Sequence, residues 1–155
     1  MNKKISLLVP MYNEAAVVDN FFEQVLPILE GMAIGWEVVC VNDGSKDSTL
    51  ELLWKWHEHD SRIKVINLSR NFGKERALIA ALDLATGDAI IPMDADLQDP
   101  PELIPRMVSL WEEGYDVVNA IRSSRDSDSR IKRTTARLFY RIFNYLSDRE
   151  IPSDA

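Results

Sequence analysis

Cysteine is nearly absent. Cys40 stands alone among 155 residues, so no internal disulfide can form. It lies in the apolar run Val38-Val39-Cys40-Val41, where a buried strand thiol is expected, consistent with a reducing cytoplasm. Histidine is scarce too: His57 and His59 lack metal-ligand spacing and read as surface residues of an amphipathic helix. No apolar run approaches the roughly 18 residues that span a bilayer. The stretch Ile5 to Val9, closed by Pro10, is too short for a signal peptide. No G-x-G-x-x-G follows the first apolar run and no G-x-x-x-x-G-K-[ST] occurs, which removes the main support for dinucleotide and Walker-type sites. Internal repeats and low-complexity tracts are missing as well.

Basic charge is thin everywhere except one segment. The net charge is −7, but residues 122–147 carry seven Lys/Arg against two Asp/Glu, leaving −12 for the rest. An acidic body with one basic segment suits a local anionic partner and argues against nucleic acid. Ser129 to Ser147 is free of glycine and proline and reads as a helix. Arg130, Arg133, Arg137 and Arg141 form one stripe on it, beside an apolar surface of Ile131, Leu138, Phe139, Ile142, Phe143 and Leu146. Two readings stand: a helix packed on the sheet, or one lying near anionic lipid headgroups.

Ahead of this segment, strand and helix patterns alternate. Strands are expected at Ile5 to Val9, Trp36 to Val41, Ile63 to Leu68, Ala89 to Met93 and Tyr115 to Ile121. Helices are expected from Glu14 to Leu29, after a cap at Asp47-Ser48-Thr49, from Gly73 to Leu84, and after Pro100-Pro101. Thr86-Gly87 is expected to end the third helix, with glycine in the left-handed cap conformation. Such alternation predicts an α/β fold with a parallel sheet whose ligands bind beyond the carboxyl ends of the strands. Polar clusters fall at all five ends: Pro10 to Glu14, Asn42 to Thr49, Ser69 to Lys74, Asp94 to Asp99 and Arg122 to Arg125.

Each cluster has a chemistry and a plainer alternative. Asp94 and Asp96 directly follow a strand; their hard oxygens suit Mg²⁺ or Mn²⁺ together with phosphate, or they are solvated loop acids. Asp43 could accept the imino hydrogen of uracil or the corresponding hydrogens of guanine, while Gly44 permits a tight turn. Tyr12 could pack on a base and Glu14 receive ribose hydroxyls, whereas Asn13 could be a simple helix cap. Ser69 to Lys74 offers a glycine turn for phosphate, with Phe72 packed to hold the loop.

Taken in order, Pro10-x-Tyr12-Asn13-Glu14, Asp43-Gly44-Ser45-x-Asp47-x-Thr49, Asn71-x-Gly73-Lys74 and Asp94-Ala95-Asp96-Leu97-Gln98-Asp99-Pro100-Pro101-Glu102 resemble family 2 glycosyltransferases. The resemblance is to the dolichyl-phosphate mannose synthase branch, and within it to bacterial polyprenyl-phosphate (bactoprenol) glucosyltransferases. It implies a Rossmann-like GT-A fold for nucleotide-sugar binding, with a mostly parallel sheet flanked by helices. The core would be residues 1–121, and residues 122–155 a basic acceptor- and membrane-proximal segment of the same domain.

By resemblance, Pro10, Tyr12, Glu14, Val41 and Asp43 would hold the nucleoside. Asp94, Ala95 and Asp96 would hold diphosphate and metal, with Asp96 as chief ligand. Gln98 would approach the sugar or the metal shell, and Arg122 the diphosphate or acceptor phosphate; Asp96, Gln98 and Arg122 form the expected catalytic set. The implied reaction moves a sugar, with UDP-glucose as the favoured donor, onto a polyprenyl phosphate with inversion. It would occur at the cytoplasmic face of the inner membrane and depend on Mg²⁺ or Mn²⁺. A sugar-hydroxyl acceptor and a non-catalytic nucleotide-sensing module are the competing readings, and a homo-oligomer of the full-length protein stays open. Family members continue into a D-x-G-x-F-R-L segment and membrane helices, so a chain ending at Pro152-Ser153-Asp154-Ala155 is expected to be an N-terminal fragment.

Overall fold

The computed structural model describes residues 3–120, and the fold is that of the compact unit Met1–Asp116. Four strands, β1 (Lys4–Met11), β2 (Gly35–Asn42), β3 (Ile63–Asn67) and β4 (Ala89–Pro92), form a sheet of order β3-β2-β1-β4. Every neighbouring pair is parallel; Leu8 of β1 faces Val39 of β2 and Pro92 of β4. The connecting helices are α1 (Val18–Glu30), α2 (Thr49–His59) and α3 (Lys74–Leu84), and a 3-10 turn at Pro101–Leu103 leads into α4 (Ile104–Glu112).

Strand alternation sorts the core onto two faces. Ile5, Leu7, Val9 and Met11 of β1 join Val38 and Cys40 of β2 against α1, α2 and α4. Leu8, Val39 and Val41 point the other way, onto Ala77 and Ala81 of α3. Alanines let that helix sit close to the sheet. Cys40 is wholly buried as expected, and burial pushes its thiol pKa up, so it is a core residue and not a nucleophile. Among the described residues no helix is long and apolar enough to cross a membrane.

Two expectations need correction. Residues 115–120 form no strand, and Ile121 lies outside the described residues. Gly114, at φ +106°, turns the chain after α4, and Tyr115 and Val117 remain exposed. A strand needs a hydrogen-bonding neighbour, which apolar composition alone cannot supply. The second correction is Gly87, which is no left-handed cap. Helix α3 stops instead at Ala85, which is extended at φ −67° and ψ 138°.

Gly87 is required for closeness. A Cβ there would lie 2.6 Å from the Ser6 backbone nitrogen and 2.7 Å from the Ile5 carbonyl carbon. Gly87→Ala is therefore expected to destabilise the fold by about 1–3 kcal/mol through overpacking, read as a lower urea midpoint at unchanged slope. The helix expected over Ser129 to Ser147 and its arginine stripe lie outside the described residues, as does Arg122.

Candidate active site

The chain runs from β1 to β2 to β3 in one direction, then returns to place β4 on the other side of β1. This reversal opens a crevice at the carboxyl ends of β1 and β4, where open parallel sheets bind ligands. A cleft of about 380 Å³ lies there. All four strand ends reach it: Pro10, Met11, Tyr12 and Glu14 after β1, Asp43 after β2, Asn71, Gly73 and Lys74 after β3, and Asp94, Ala95 and Asp96 after β4.

The first two polar clusters hold each other. Asn13 adopts φ +56°, a conformation asparagine tolerates better than most residues. Its N–H donates to Ser45 Oγ at 2.9 Å, and its Oδ1 accepts the Lys46 N–H at 2.8 Å. The Glu14 N–H donates to Thr49 Oγ1 at 2.9 Å, and the Ala15 N–H to Asp47 Oδ2 at 3.1 Å. Asp47 Oδ1 also accepts from the Thr49 hydroxyl at 2.5 Å and the Thr49 N–H at 3.0 Å. Burial raises the Asp47 pKa, but the hydrogen bonds from Thr49 and Ala15 outweigh it and leave the carboxyl below its ordinary value. Asn13, Ser45, Asp47 and Thr49 are thus loop-to-loop fasteners that fix where Tyr12 and Glu14 stand.

Asp43 fastens the next loop. Its side chain is almost fully buried, with Oδ1 accepting the Phe72 N–H at 2.7 Å and Oδ2 the Gly73 N–H at 2.9 Å. Gly44 makes the approach possible: it sits at φ +69°, and a Cβ there would fall 2.4 Å from the Arg70 carbonyl carbon. Phe72 is half-buried, with the Arg70 guanidinium of the same loop 4.8 Å from its ring centroid. Each carboxylate oxygen keeps lone-pair capacity beyond these bonds.

At the fourth strand end Met93 and Ala95 anchor in the core, while Asp94 and Asp96 face the cleft. Leu97 takes φ +57°, a left-handed turn that a leucine rarely adopts. The Asp96 Oδ1 accepts the Gln98 N–H at 3.1 Å across this turn. Lys74 Nζ bridges both oxygens of Asp94, at 2.6 and 2.7 Å. Both side chains are about half exposed, 56% and 45%, so this ion pair contributes only about 0–1 kcal/mol and is easily exchanged. Burial raises the Glu14 pKa, and the carboxylates of Asp96, Asp47 and Asp94 push it the same way.

The donor set fits a hard divalent cation in a particular manner. Asp94 and Asp96 offer carboxylate oxygens, yet no group of three or more His, Cys, Asp or Glu among the described residues could hold a metal by itself. Two carboxylates with outside oxygens, such as those of a diphosphate, would complete the shell.

Seven of the expected site residues line the cleft: Pro10, Tyr12, Glu14, Asp43, Asp94, Ala95 and Asp96. The Val41 side chain does not, being wholly buried against α3; only its backbone, paired with Pro10, lies behind the site. Gln98 is exposed outside the lining. Met11, Asn71, Gly73 and Lys74 line the cleft without having been given individual site roles. The signal for the last three was the glycine turn at the end of the third strand.

Residues 6–154 match the model of glycosyl transferase family 2. An uncharacterized glycosyltransferase of Synechocystis is 47% identical over 98% of this chain and 48% of its own length. A prophage bactoprenol glucosyl transferase homolog of Escherichia coli is 46% identical over 96% of this chain and 48% of its own. The chain therefore spans about half the length of the curated relatives it matches. A solved mannosyltransferase from Pyrobaculum calidifontis, in complex with GDP-Man and Mn²⁺, shares the fold at a TM-score of 0.63 and 23% identity, over 93% of this chain and 39% of its own. With its parallel sheet, its cleft at the strand ends and a family match over nearly all its length, the chain belongs to glycosyl transferase family 2.

Proposed function

We propose that this chain is the donor-binding part of a transferase that moves a sugar from a nucleoside diphosphate sugar onto a polyprenyl phosphate at a membrane surface. The observation that carries the donor reading is the convergence of four strand ends on one cleft. Asp43 follows β2 and Asp94 and Asp96 follow β4, the strands on either side of β1, a placement suited to a nucleoside joined to a diphosphate. Asp94 and Asp96 would hold Mg²⁺ or Mn²⁺. When bound, the cation stabilises the charge developing on the leaving diphosphate.

The acceptor half of the proposal draws on the bactoprenol relative. A phosphate monoester is largely anionic near pH 7 and needs no strong general base to attack. Attack from the face opposite the diphosphate inverts the sugar centre in one displacement. Glucose from UDP-glucose is our preferred donor, and Arg122 our preferred partner for the acceptor phosphate. The basic segment after it would lie against anionic lipid on the cytoplasmic side.

The test is a donor screen on the full-length protein with polyprenyl phosphate and Mg²⁺ or Mn²⁺, followed by product analysis. A lipid-linked sugar phosphate is the expected product. Transfer to a sugar hydroxyl instead would select the polysaccharide or glycolipid reading. A narrower prediction concerns Asp96→Asn, which removes one charged oxygen ligand. The gain in UDP or GDP affinity on adding Mn²⁺ should fall about tenfold to a hundredfold in calorimetry. An unchanged gain would remove Asp96 from the metal site.

A further inference from the structure

Lys74 occupies a costly position. It is the first residue of α3, where the positive end of the helix dipole disfavours a cation, and Gly73 before it provides no side-chain cap. Helix formation gives no reason for lysine there. The cleft does. Among the described lining residues Glu14, Asp43, Asp94 and Asp96 are acids and Lys74 is the single cation. Its ammonium sits on both oxygens of Asp94, at 2.6 and 2.7 Å.

Its backbone is held while its head is free to change partner. The N–H groups of Phe72 and Gly73, immediately before it, are clamped by the buried Asp43 carboxylate. The side chain itself is more than half exposed, as Asp94 nearly is. A divalent cation seeking Asp94 must therefore displace an ammonium from the oxygens it would use. A ligand diphosphate, in turn, meets Lys74 as its cationic partner in the described lining.

We propose that Lys74 competes with the divalent cation for Asp94 and, once displaced, turns to the diphosphate of the donor. Lys74 is thus a positioning residue that makes metal binding favour the nucleotide-loaded cleft. This rests on the donor reading above and adds a direction to it. Metal alone is resisted, and metal with nucleotide is not, because the nucleotide supplies Lys74 with another anion. By linkage the nucleotide gains in the same proportion from the metal.

The test uses the full chain and its Lys74→Met and Lys74→Arg variants, with binding as the readout. Mn²⁺ alone is titrated by the paramagnetic resonance signal of the free ion, and UDP and GDP alone by calorimetry in chelator. In Lys74→Met the affinity for Mn²⁺ should rise about fivefold to tenfold, since a competing charge is gone. The affinity for the bound nucleotide should fall by about tenfold, since its ammonium partner is gone. Lys74→Arg should stay near wild type in both. Opposite signs are decisive, because a merely damaged loop would weaken both. Mn²⁺ affinity in Lys74→Met at or below wild type overturns the proposal. A wild-type chain that binds neither UDP nor GDP, with or without Mn²⁺, overturns the donor reading instead, and the Mn²⁺ arm still reads the exchange at Asp94.

Discussion

Glu37→Ala is expected to lower folding stability by about 3 kcal/mol, the low end of what breaking a buried ion pair costs. The side chain is 2% exposed on β2, near the amino-terminal edge of the sheet. Lys4 Nζ lies 2.6 Å from it and Lys64 Nζ 2.9 Å; Ser6 Oγ and the Thr86 N–H each donate to it at 2.6 Å. It therefore ties β1, β2, β3 and the loop after α3 together. The low end applies because Lys4 and Lys64 are about a third exposed and can turn to water once the acid is gone.

The same group sets an acid sensitivity. Burial alone would raise its pKa, but the hydrogen bonds from Lys4, Lys64, Ser6 and Thr86 hold it far below the ordinary 4.5. The folded state thus keeps the ionised form where the unfolded chain takes up a proton. Its stabilisation is complete above the unfolded value and is lost as pH falls below it. Urea midpoints should show a gap between wild type and Glu37→Gln at pH 7 that narrows below about pH 4.5. A gap constant with pH would mean that the charge is not what stabilises. Because the network lies at the edge of the sheet opposite the cleft, the folded variant should keep its nucleotide affinity.

How far the sequence foretold this depends on which physical signal each element carries. The four described strands are apolar runs flanked by turn residues, and the pattern places them to within a residue or two. The expected strand at Tyr115 failed because pairing partners are not written in composition. Helix ends were legible at Pro100-Pro101, where proline suits a first turn, and not at Gly87, whose need is steric closeness to Ser6 across 81 positions. Seven of the lining residues were legible as carboxylates, aromatics and motif neighbours at strand ends. The direction of the Val41 side chain, toward α3, was not legible, because strand parity depends on the face each strand presents. Glu37 was invisible: a lone acid in an apolar strand means little until Lys4, Ser6, Lys64 and Thr86 are brought around it.

The same limit makes Asp43 the more demanding case, because two roles meet in one carboxylate. As a strand-end acid it suits the hydrogens of a uracil or guanine edge. As folded it accepts the Phe72 and Gly73 N–H groups and is 3% exposed. Asp43→Ala should therefore leave two half-buried donors without their partner at about 1–3 kcal/mol each, a total of about 2–6 kcal/mol. The loop carrying Asn71 and Lys74 would come loose from β2, so phosphate-side contacts should weaken together with the base contact. The readout that separates the roles is nucleoside against pyrophosphate. Loss of the clamp alone should weaken pyrophosphate and uridine, or guanosine, by similar factors. Loss of a base contact as well should cost the nucleoside a further tenfold or so, the worth of one charge-assisted hydrogen bond. We expect the second pattern, together with a clear drop in the urea midpoint. Equal losses for both ligands would leave Asp43 as a loop clamp and remove it from base recognition; unchanged stability would remove the clamp.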